Sequence, residues 1–531
     1  MVKVGRCALH TNNCWLSEQN LRWINRVLEE GRFLAVKKQG FMRGICVGIV
    51  ISLLVNGVLL AEQKKCKAEP KVEFEIRNIE GWSVYINKKD LSEHKEQMDT
   101  AIEHLQNQLY QVIRVVPQPA VTKTQELVPV WVEFDTLGTA YHPRSKWLTD
   151  HGHKPPEGLG SVAGFCRAKS FCKNALHQPW VVLHELSHGY DYQFLGRGRH
   201  YSNEVIDAAY KRAKRCGTYE KVLCRYSMGT RHYAMNNKME YFAENTEAYF
   251  GTNDFYPFVR AELREHDPHA CRVLENMWGV DVEAETKKAK SLVEFLELNS
   301  YGAVFGDSNS QPASASGSGV YIPTSVYKKH GVEGWTVYVS PQLEKLTALS
   351  QKSLKLLRHK LHMVKRYVPD KGLKELQKVA VWVELENPAV PYMTYHQCRE
   401  TLKAQHQNPD KLGAVEIGNV TNFMQWSFLQ PFMVLNRLAR AYHDRVLGCD
   451  NDEIKAAHEQ AVKSEKYDLV LRFDGQYVRH PALGDEKEYF AEMSEAYYGV
   501  NDHYPFLQFE LKQYDPNACD LLAKLWQGKA R

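Results

Sequence analysis

The alternation of apolar and polar residues predicts that strands precede helices in the first half of the chain. Residues 82–86, Trp-Ser-Val-Tyr-Ile, alternate with the period of a strand that buries one face. In residues 98–113, apolar side chains recur every three or four positions, which predicts a helix that ends before Pro117. Residues 130–134 and 161–165 are short apolar runs typical of further strands. Because the later spacing is helical, we expect an α+β fold, a small mixed sheet followed by a helical subdomain.

The same pattern occurs twice along the chain. Residues 80–86 read Glu-Gly-Trp-Ser-Val-Tyr-Ile, and residues 333–339 read Glu-Gly-Trp-Thr-Val-Tyr-Val. Residues 253–258 read Asn-Asp-Phe-Tyr-Pro-Phe and return at 501–506 with His in place of the first Phe. The chain therefore contains two homologous units, each long enough to bury its own core.

These repeats set the predicted domain boundaries. We place the first domain at 71–297 and the second at 322–531. Between them, residues 298–321 are rich in Ser and Gly, which is typical of a flexible linker.

Residues 45–61 form an apolar run in which only Ser52 and Asn56 are polar. Its length is at the short limit of a membrane span and also suits the core of a signal peptide. Read from Met42, residues 42–61 are a signal peptide that ends near Ala61. Read from the first residue, they are a signal anchor, and residues 1–41 are an N-terminal tail of undecided role.

Both interpretations place everything after residue 61 outside the cytoplasm. We therefore expect either a secreted protein or a single-pass membrane protein held by residues 45–61. The cysteines agree with this location only weakly. Cys166 and Cys172 are close in sequence, as are Cys216 and Cys224, so they form either two local disulfides or free thiols.

Candidate chemistry begins with His-Glu-Leu-Ser-His at residues 184–188. On a helix, His184 and His188 lie on one face, one turn apart, so both imidazoles can bind one metal ion, usually Zn²⁺. Glu185 can hold a water molecule beside that ion and accept its proton. The alternative is a purely structural histidine pair.

Three acidic residues, Glu240, Glu244 and Glu247, supply candidates for the rest of the site. Their spacing puts them on one face of a helix, which is unfavourable unless a cation or hydrogen-bond donors meet that face. Glu240 would complete a site of two histidines and one glutamate, and Glu244 could accept the free N–H of a ligand histidine. Asp191 lies one turn beyond His188 and suits an orienting role better than ligation.

Together, the stretch from His184 to His188 and the Glu-Tyr-Phe-Ala-Glu run from Glu240 resemble the zincin metallopeptidases of the gluzincin type, and among them the anthrax lethal factor catalytic domain. The resemblance implies that His184, His188 and Glu240 bind zinc and that Glu185 is the base. It also implies that Tyr233, seven residues before Glu240, donates a hydrogen bond to the oxyanion. The implied substrate is a peptide or protein.

The second repeat lacks this motif. It has Asn436, Arg437 and Arg440 where the first has its two histidines and Glu185, yet it keeps the acidic residues Glu488, Glu492 and Glu495. It therefore cannot hold the same zinc ion, and we expect a catalytically inactive domain. A buried carboxylate needs a cation, so we expect Arg437 or Arg440 to contact Glu488.

Composition narrows the functional classes further. Hydrophobic residues make up 44% of the chain and charged residues 25%, and the formal charge is +5. These values describe an ordinary globular protein and give no indication of nucleic-acid binding. We therefore expect a zinc-dependent peptidase of two tandem zincin-like domains. The alternatives are a non-catalytic secreted or membrane-anchored binding protein on the same scaffold, and a zinc hydrolase that acts on another amide.

Overall fold

The computed structural model describes residues 72–165, 167–196, 200–225, 227–296, 321–448 and 450–526. The predicted tail, the signal or anchor segment and nearly all of the predicted linker lie outside these residues. From Val72 onwards the chain forms one compact unit. Within the described ranges, no helix combines the length and the apolar character that a bilayer crossing requires.

The first repeat begins with the predicted strands and continues with helices. Its strands are β1 (Phe74–Ile79), β2 (Trp82–Asn87), β3 (Val130–Val132), β4 (Thr139–His142), β5 (Val162–Phe165), β6 (Val222–Cys224) and β7 (Ser227–Thr230). Its α-helices are α1 (Lys88–Glu93), α2 (Lys95–Val115), α3 (Gln118–Leu127), α4 (Ser145–Asp150), α5 (Ala168–Asn174), α6 (Val181–Tyr190), α7 (Glu204–Cys216), α8 (Lys238–Phe250), α9 (Arg260–His266), α10 (Pro268–Trp278) and α11 (Val282–Leu296).

The second repeat follows the same order. Its strands are β8 (Lys328–Val332), β9 (Trp335–Val339), β10 (Val381–Val383), β11 (Met393–Tyr395), β12 (Val415–Ile417), β13 (Val470–Leu471) and β14 (Tyr477–Val478). Its α-helices are α12 (Pro341–Lys345), α13 (Thr347–Tyr367), α14 (Asp370–Leu376), α15 (Arg399–Ala404), α16 (Val420–Trp426), α17 (Met433–Tyr442), α18 (Asp452–Lys463), α19 (Glu486–Tyr498), α20 (Gln508–Tyr514) and α21 (Pro516–Leu525).

Each repeat builds one five-stranded mixed sheet. The first has the order β1-β2-β3-β5-β4, and the second has the matching order β8-β9-β10-β12-β11. In both sheets the three central strands run parallel, and an antiparallel strand lies at either edge. The structure is therefore α+β, as predicted.

The Glu-Gly pair that opens each repeat is explained by the turn between the first two strands. Glu80 and Gly81 have φ values of 52° and 96°, and Glu333 and Gly334 repeat them with 51° and 96°. Two successive residues with positive φ match the right-handed twist of a tight hairpin, and glycine adopts such values without steric cost.

Each repeat has its own apolar core, but the repeats also pack on each other. Leu292 of α11 belongs to the core of the second repeat, and a smaller shared cluster includes Phe258 and Phe506. Side chains also cross between the repeats at equivalent helix positions. Arg114 of α2 donates to Ser427 Oγ at 2.6 Å, and Arg366 of α13 donates to the Cys172 carbonyl oxygen at 2.8 Å.

The cysteines settle one of the open alternatives. Cys172 and Cys216 are free thiols, so neither disulfide considered above is formed. Cys166 lies outside the described residues. Cys216 is exposed at the end of α7, whereas Cys224 is buried in β6, so these two sulfur atoms face different surroundings.

A pair of buried carboxyl groups joins the repeats beside the shared cluster. Glu262 Oε2 accepts the Phe258 N–H at 2.8 Å, and Glu510 Oε2 accepts the Phe506 N–H at the same distance. The two carboxyls also lie close enough to interact electrostatically. Burial raises the pKa of both carboxyls, and the negative charge of Glu510 raises that of Glu262 further.

This pair predicts that stability falls as the pH rises. Folding raises the pKa of Glu262 above its ordinary value of 4.5, so between that value and the raised pKa unfolding releases a proton. The free energy of unfolding should fall by about 1.4 kcal/mol per pH unit for each such proton, from about pH 4.5 up to the raised pKa. In Glu262→Gln the amide keeps the hydrogen bonds and cannot ionise, so the fall should be shallower. Melting temperatures of both proteins between pH 5 and 9 measure this, and parallel curves would contradict it.

Candidate metal centre

The helix that carries the histidines, α6, lies in the middle of the first repeat. All ten of its residues are buried, including the polar His184, Glu185, Ser187 and His188. Gln108 of α2 accepts the Val182 N–H at 3.2 Å and so satisfies a donor at the start of the helix. His184 and His188 are only 5% and 8% exposed, so little water surrounds their rings.

The acidic helix α8 packs against α6 and brings Glu240 to the histidines. Asn237 caps this helix, and its side-chain oxygen accepts the N–H groups of Met239 and Glu240, both at 2.9 Å. The cap holds Glu240 in the first turn, at the end of α8 that meets the histidine pair. The carboxylate predicted as third ligand is thus supplied by a helix more than fifty residues away in sequence.

Three donor atoms converge here in an almost equilateral triangle. Glu240 Oε2 lies 3.1 Å from His184 Nε2 and 3.2 Å from His188 Nε2. The two Nε2 atoms are 3.1 Å apart. A tetrahedral zinc ion with bonds of about 2 Å has ligand atoms about 3.3 Å apart, so the triangle fits such an ion and leaves a fourth position open.

Charges around the triangle favour a cation at its centre. Burial opposes protonation of His184, but its hydrogen bonds to Glu240 and Glu247 outweigh burial and raise its pKa. Burial likewise raises the pKa of Glu240, but the two histidines outweigh it and hold that pKa below its ordinary value. The carboxylates therefore stabilise positive charge at this point.

The residue that orients His184 is Glu247 rather than Glu244. His184 Nδ1 donates to Glu247 Oε1 at 2.7 Å, while Glu244 Oε1 is 3.6 Å from the same nitrogen. Gln178 donates to Glu247 Oε1 at 2.8 Å and keeps that carboxylate in place. With its proton on Nδ1, His184 points the free lone pair of Nε2 at the triangle.

We therefore expect Glu247→Gln to weaken zinc binding by about tenfold, because partners of this kind typically contribute 10–100-fold to metal affinity. Glu244→Gln is the matched control. Burial raises the pKa of Glu244, and its Oε2 lacks a hydrogen-bond partner, so an amide there should change affinity little. Competition with a chromogenic chelator measures both constants. An equal loss of zinc affinity in the two variants would show that Glu247 has no special role in orienting His184.

Glu185 lies beside the triangle and faces the edge strand β4. Its Oε2 accepts the Tyr141 N–H at 2.5 Å. Burial raises the pKa of Glu185, and the charges of His184 and His188 only partly oppose this. A carboxylate with a raised pKa can accept a proton and release it again near neutral pH.

Two tyrosines flank the triangle. Tyr233 lies in a short 3₁₀ helix, Tyr233–Met235, and is 46% exposed. Burial and the negative charge of Glu240 raise its pKa, so its hydroxyl remains a donor at neutral pH. Tyr201 was not foreseen from the sequence: its ring lies 6.5 Å from the ring of His188, and burial raises its pKa too.

Tyr201 also lines a small cavity of about 340 Å³ beside β4. The other walls include His142, Trp147 and Tyr192. This aromatic recess opens next to the histidines because Tyr201 contacts both His188 and Tyr192.

Asp191, the other ligand considered, does not belong to the triangle. Among the described residues, the acidic and histidine side chains grouped closely enough with His188 to share a metal ion are His184 and Glu240. Asp191 is buried in the turn that follows α6, and burial raises its pKa to about 6. The charge of His188 lowers the pKa of Asp191 and so partly opposes the effect of burial.

At the equivalent place in the second repeat, a guanidinium group stands where the first repeat has His188. Arg440 forms a close ion pair with Glu488, and Arg437 Nη1 lies 3.7 Å from the same carboxylate. Asn436, which replaces the first histidine, donates to Glu492 at 2.9 Å. The predicted arginine–glutamate contact is confirmed, and it explains how Glu488 persists without the histidines.

No protein-family model, curated protein or solved structure matches the chain. The function assigned to this centre therefore depends on its own geometry and chemistry.

Proposed function

We propose that the first repeat is a zinc-dependent peptidase. The observation that carries the proposal is the triangle formed by His184, His188 and Glu240, with its edges of 3.1–3.2 Å and Glu185 beside it. A zinc ion bound there supplies a Lewis acid and lowers the pKa of a water molecule.

The chain's own groups would handle the protons and the developing charge. Glu185 accepts the proton of the attacking water at Oε1, because Oε2 is held by the Tyr141 N–H. It then donates that proton to the nitrogen of the departing amine. Tyr233, which interacts electrostatically with Glu240, and Tyr201, whose ring lies beside His188, are our candidates for hydroxyl donors to an oxyanion.

The surroundings favour an extended peptide as substrate. β4 is an edge strand of its sheet and carries the Tyr141 N–H that binds Glu185. A peptide can add to such an edge through main-chain hydrogen bonds and place alternate side chains in adjacent pockets. The aromatic recess beside Tyr201 is suited to one apolar side chain of this peptide.

We propose the same scaffold for both repeats. Each repeat is a zincin-like domain, and the second is a catalytically inactive copy whose Arg440–Glu488 pair replaces the metal. The protein acts outside the cytoplasm, secreted or anchored by residues 45–61. This location comes from the sequence alone.

Metal analysis combined with a peptide-library digest tests the proposal. Purified protein should contain zinc, lose hydrolysis after dialysis against a chelator, and regain it when zinc is added back. A zinc-loaded protein that cleaves no peptide in the library would instead support the non-catalytic binding protein. Hydrolysis confined to other amides would support a different zinc hydrolase.

A further inference from the structure

In the second repeat, buried polar atoms that make no hydrogen bond gather near the Arg440–Glu488 pair, although two of them, Asp502 Oδ1 and His503 Nδ1, face each other at 3.3 Å. They are Glu492 Oε2, both carboxylate oxygens of Glu495, Asp502 Oδ1 and both ring nitrogens of His503. None of these four side chains is more than 5% exposed. Buried polar groups are almost always satisfied, so several orphaned ones in one place indicate a bound ion or water.

Three of these residues form a donor set for a transition metal. One ligand atom each from Glu492, Asp502 and His503 lies within 4.8 Å of the other two. His503 Nδ1 is 3.3 Å from Asp502 Oδ1. One imidazole and two carboxylates suit zinc or a neighbouring divalent ion better than calcium or magnesium, which prefer oxygen ligands alone.

Both carboxylates are oriented as metal ligands usually are. Asn436 donates to Glu492 Oε1 at 2.9 Å and leaves Oε2 unpaired. Gln430 donates to Asp502 Oδ2 at 3.2 Å and leaves Oδ1 unpaired. In each case a side-chain amide fixes one oxygen and leaves the other available as a ligand, and for Asp502 the available oxygen is the one that faces His503.

The cluster is rich in negative charge. Ionised, Glu492, Glu495 and Asp502 carry three negative charges. Arg437 acts on both glutamates, and the buried Lys360 also acts on Glu495. Glu488 is already matched by Arg440. The partner of Asp502 is His503, and with His503 neutral, as a ligand histidine must be, a metal ion would supply the cation that this buried carboxylate needs.

The first repeat lacks this arrangement. Its equivalents of Glu492, Asp502 and His503 are Glu244, Asp254 and Phe255. Phe255 stacks on His232 with 4.9 Å between ring centres, and His503 takes the same place 5.2 Å from His480. The extra histidine therefore occurs in the repeat that has lost the two histidines of the first centre.

We propose that Glu492, Asp502 and His503 bind a structural zinc ion or a similar divalent transition metal in the core of the second repeat. All three side chains are buried, so the site is closed to substrate and its role is to hold α19 to the loop that carries Asp502 and His503. This site does not depend on the peptidase function of the first repeat.

The test uses the full chain without an affinity tag, with His184→Ala and His188→Ala to remove the first centre. After equilibration with zinc and removal of excess metal, elemental analysis should find about one zinc per chain. Adding His503→Phe should remove it, whereas His330→Phe, which changes a histidine paired with Glu344 on β8, should not. Zinc should raise the melting temperature of the parent and leave that of the His503→Phe variant unchanged.

The proposal fails if the parent without the first centre binds no zinc, or if His503→Phe binds as much as the parent. Phenylalanine stands at this position in the first repeat, which favours folding of the variant. Should it fail to fold, Asp502→Asn preserves the shape and removes one ligand charge. Asp502→Asn is expected to bind zinc at least tenfold more weakly, and unchanged affinity would overturn the proposal.

Discussion

Replacing Glu185 with Gln is expected to lower kcat/KM for peptide hydrolysis by about 10³-fold, because general acid–base catalysis by a positioned group contributes about 10²–10⁴-fold. The amide has the shape of the carboxylate and can still accept the Tyr141 N–H. It cannot take a proton from water. Because Glu185 is not part of the triangle, the zinc content should stay the same. Parallel metal analysis and single-peptide kinetics measure both quantities.

The matched control for this variant is Glu133→Gln. Glu133 is also buried, burial also raises its pKa, and it bonds to Asn87 and Thr136 away from the histidines. We expect Glu133→Gln to keep both zinc and turnover. Full activity in Glu185→Gln would exclude Glu185 as the base, and loss of zinc would show that it supports the metal instead.

Replacing Arg440 with Met is expected to lower the free energy of unfolding by about 3 kcal/mol, the order found when one partner of a buried ion pair is removed. Met fills part of the same space but leaves Glu488 facing Arg437 alone, at 3.7 Å. The side chains of Arg440 and Glu488 are 23% and 10% exposed, so water replaces little of the lost interaction. Chemical denaturation of the full chain measures the difference.

A double variant isolates the interaction. Adding Glu488→Gln to Arg440→Met removes the unpaired charge and should recover more than half of the lost stability. The effects of two substitutions on the free energy of unfolding do not add when the two residues are in contact. Arg445→Met changes an exposed arginine nearby and should have little effect. If Arg440→Met proves as stable as the unchanged protein, the guanidinium group of Arg440 does not stabilise the fold by neutralising Glu488.

Periodicity predicted the central elements of the first repeat and missed its sheet edges. β2 contains the predicted run at 82–86, β3 and β5 lie within the predicted runs at 130–134 and 161–165, and α2 contains the helical pattern. The edge strand β4, Thr-Ala-Tyr-His, is short and lacks a clear alternation, because its position depends on antiparallel pairing with β5. Such pairing is a tertiary contact that local pattern does not report.

The candidate metal ligands were predictable because their spacing carries the chemistry. His184 and His188 share a helical face by their separation alone, and Glu240 begins an acidic stripe that needs a cation. The choice of Glu247 over Glu244 as the partner of His184 was not predictable, since both lie on that stripe and only the crossing of α6 and α8 decides between them. Tyr201 comes from a loop with no motif.

The placement of Leu292 shows that the boundary between the repeats in the sequence differs from the boundary between their cores. This residue precedes the Ser/Gly-rich stretch, yet its side chain completes the interior of the downstream copy. Cleavage of the chain within residues 298–321 would leave a core residue of the second repeat, Leu292, on the fragment that carries the first repeat. A recombinant downstream half would therefore need to start upstream of Val282, with the whole of the preceding helix attached.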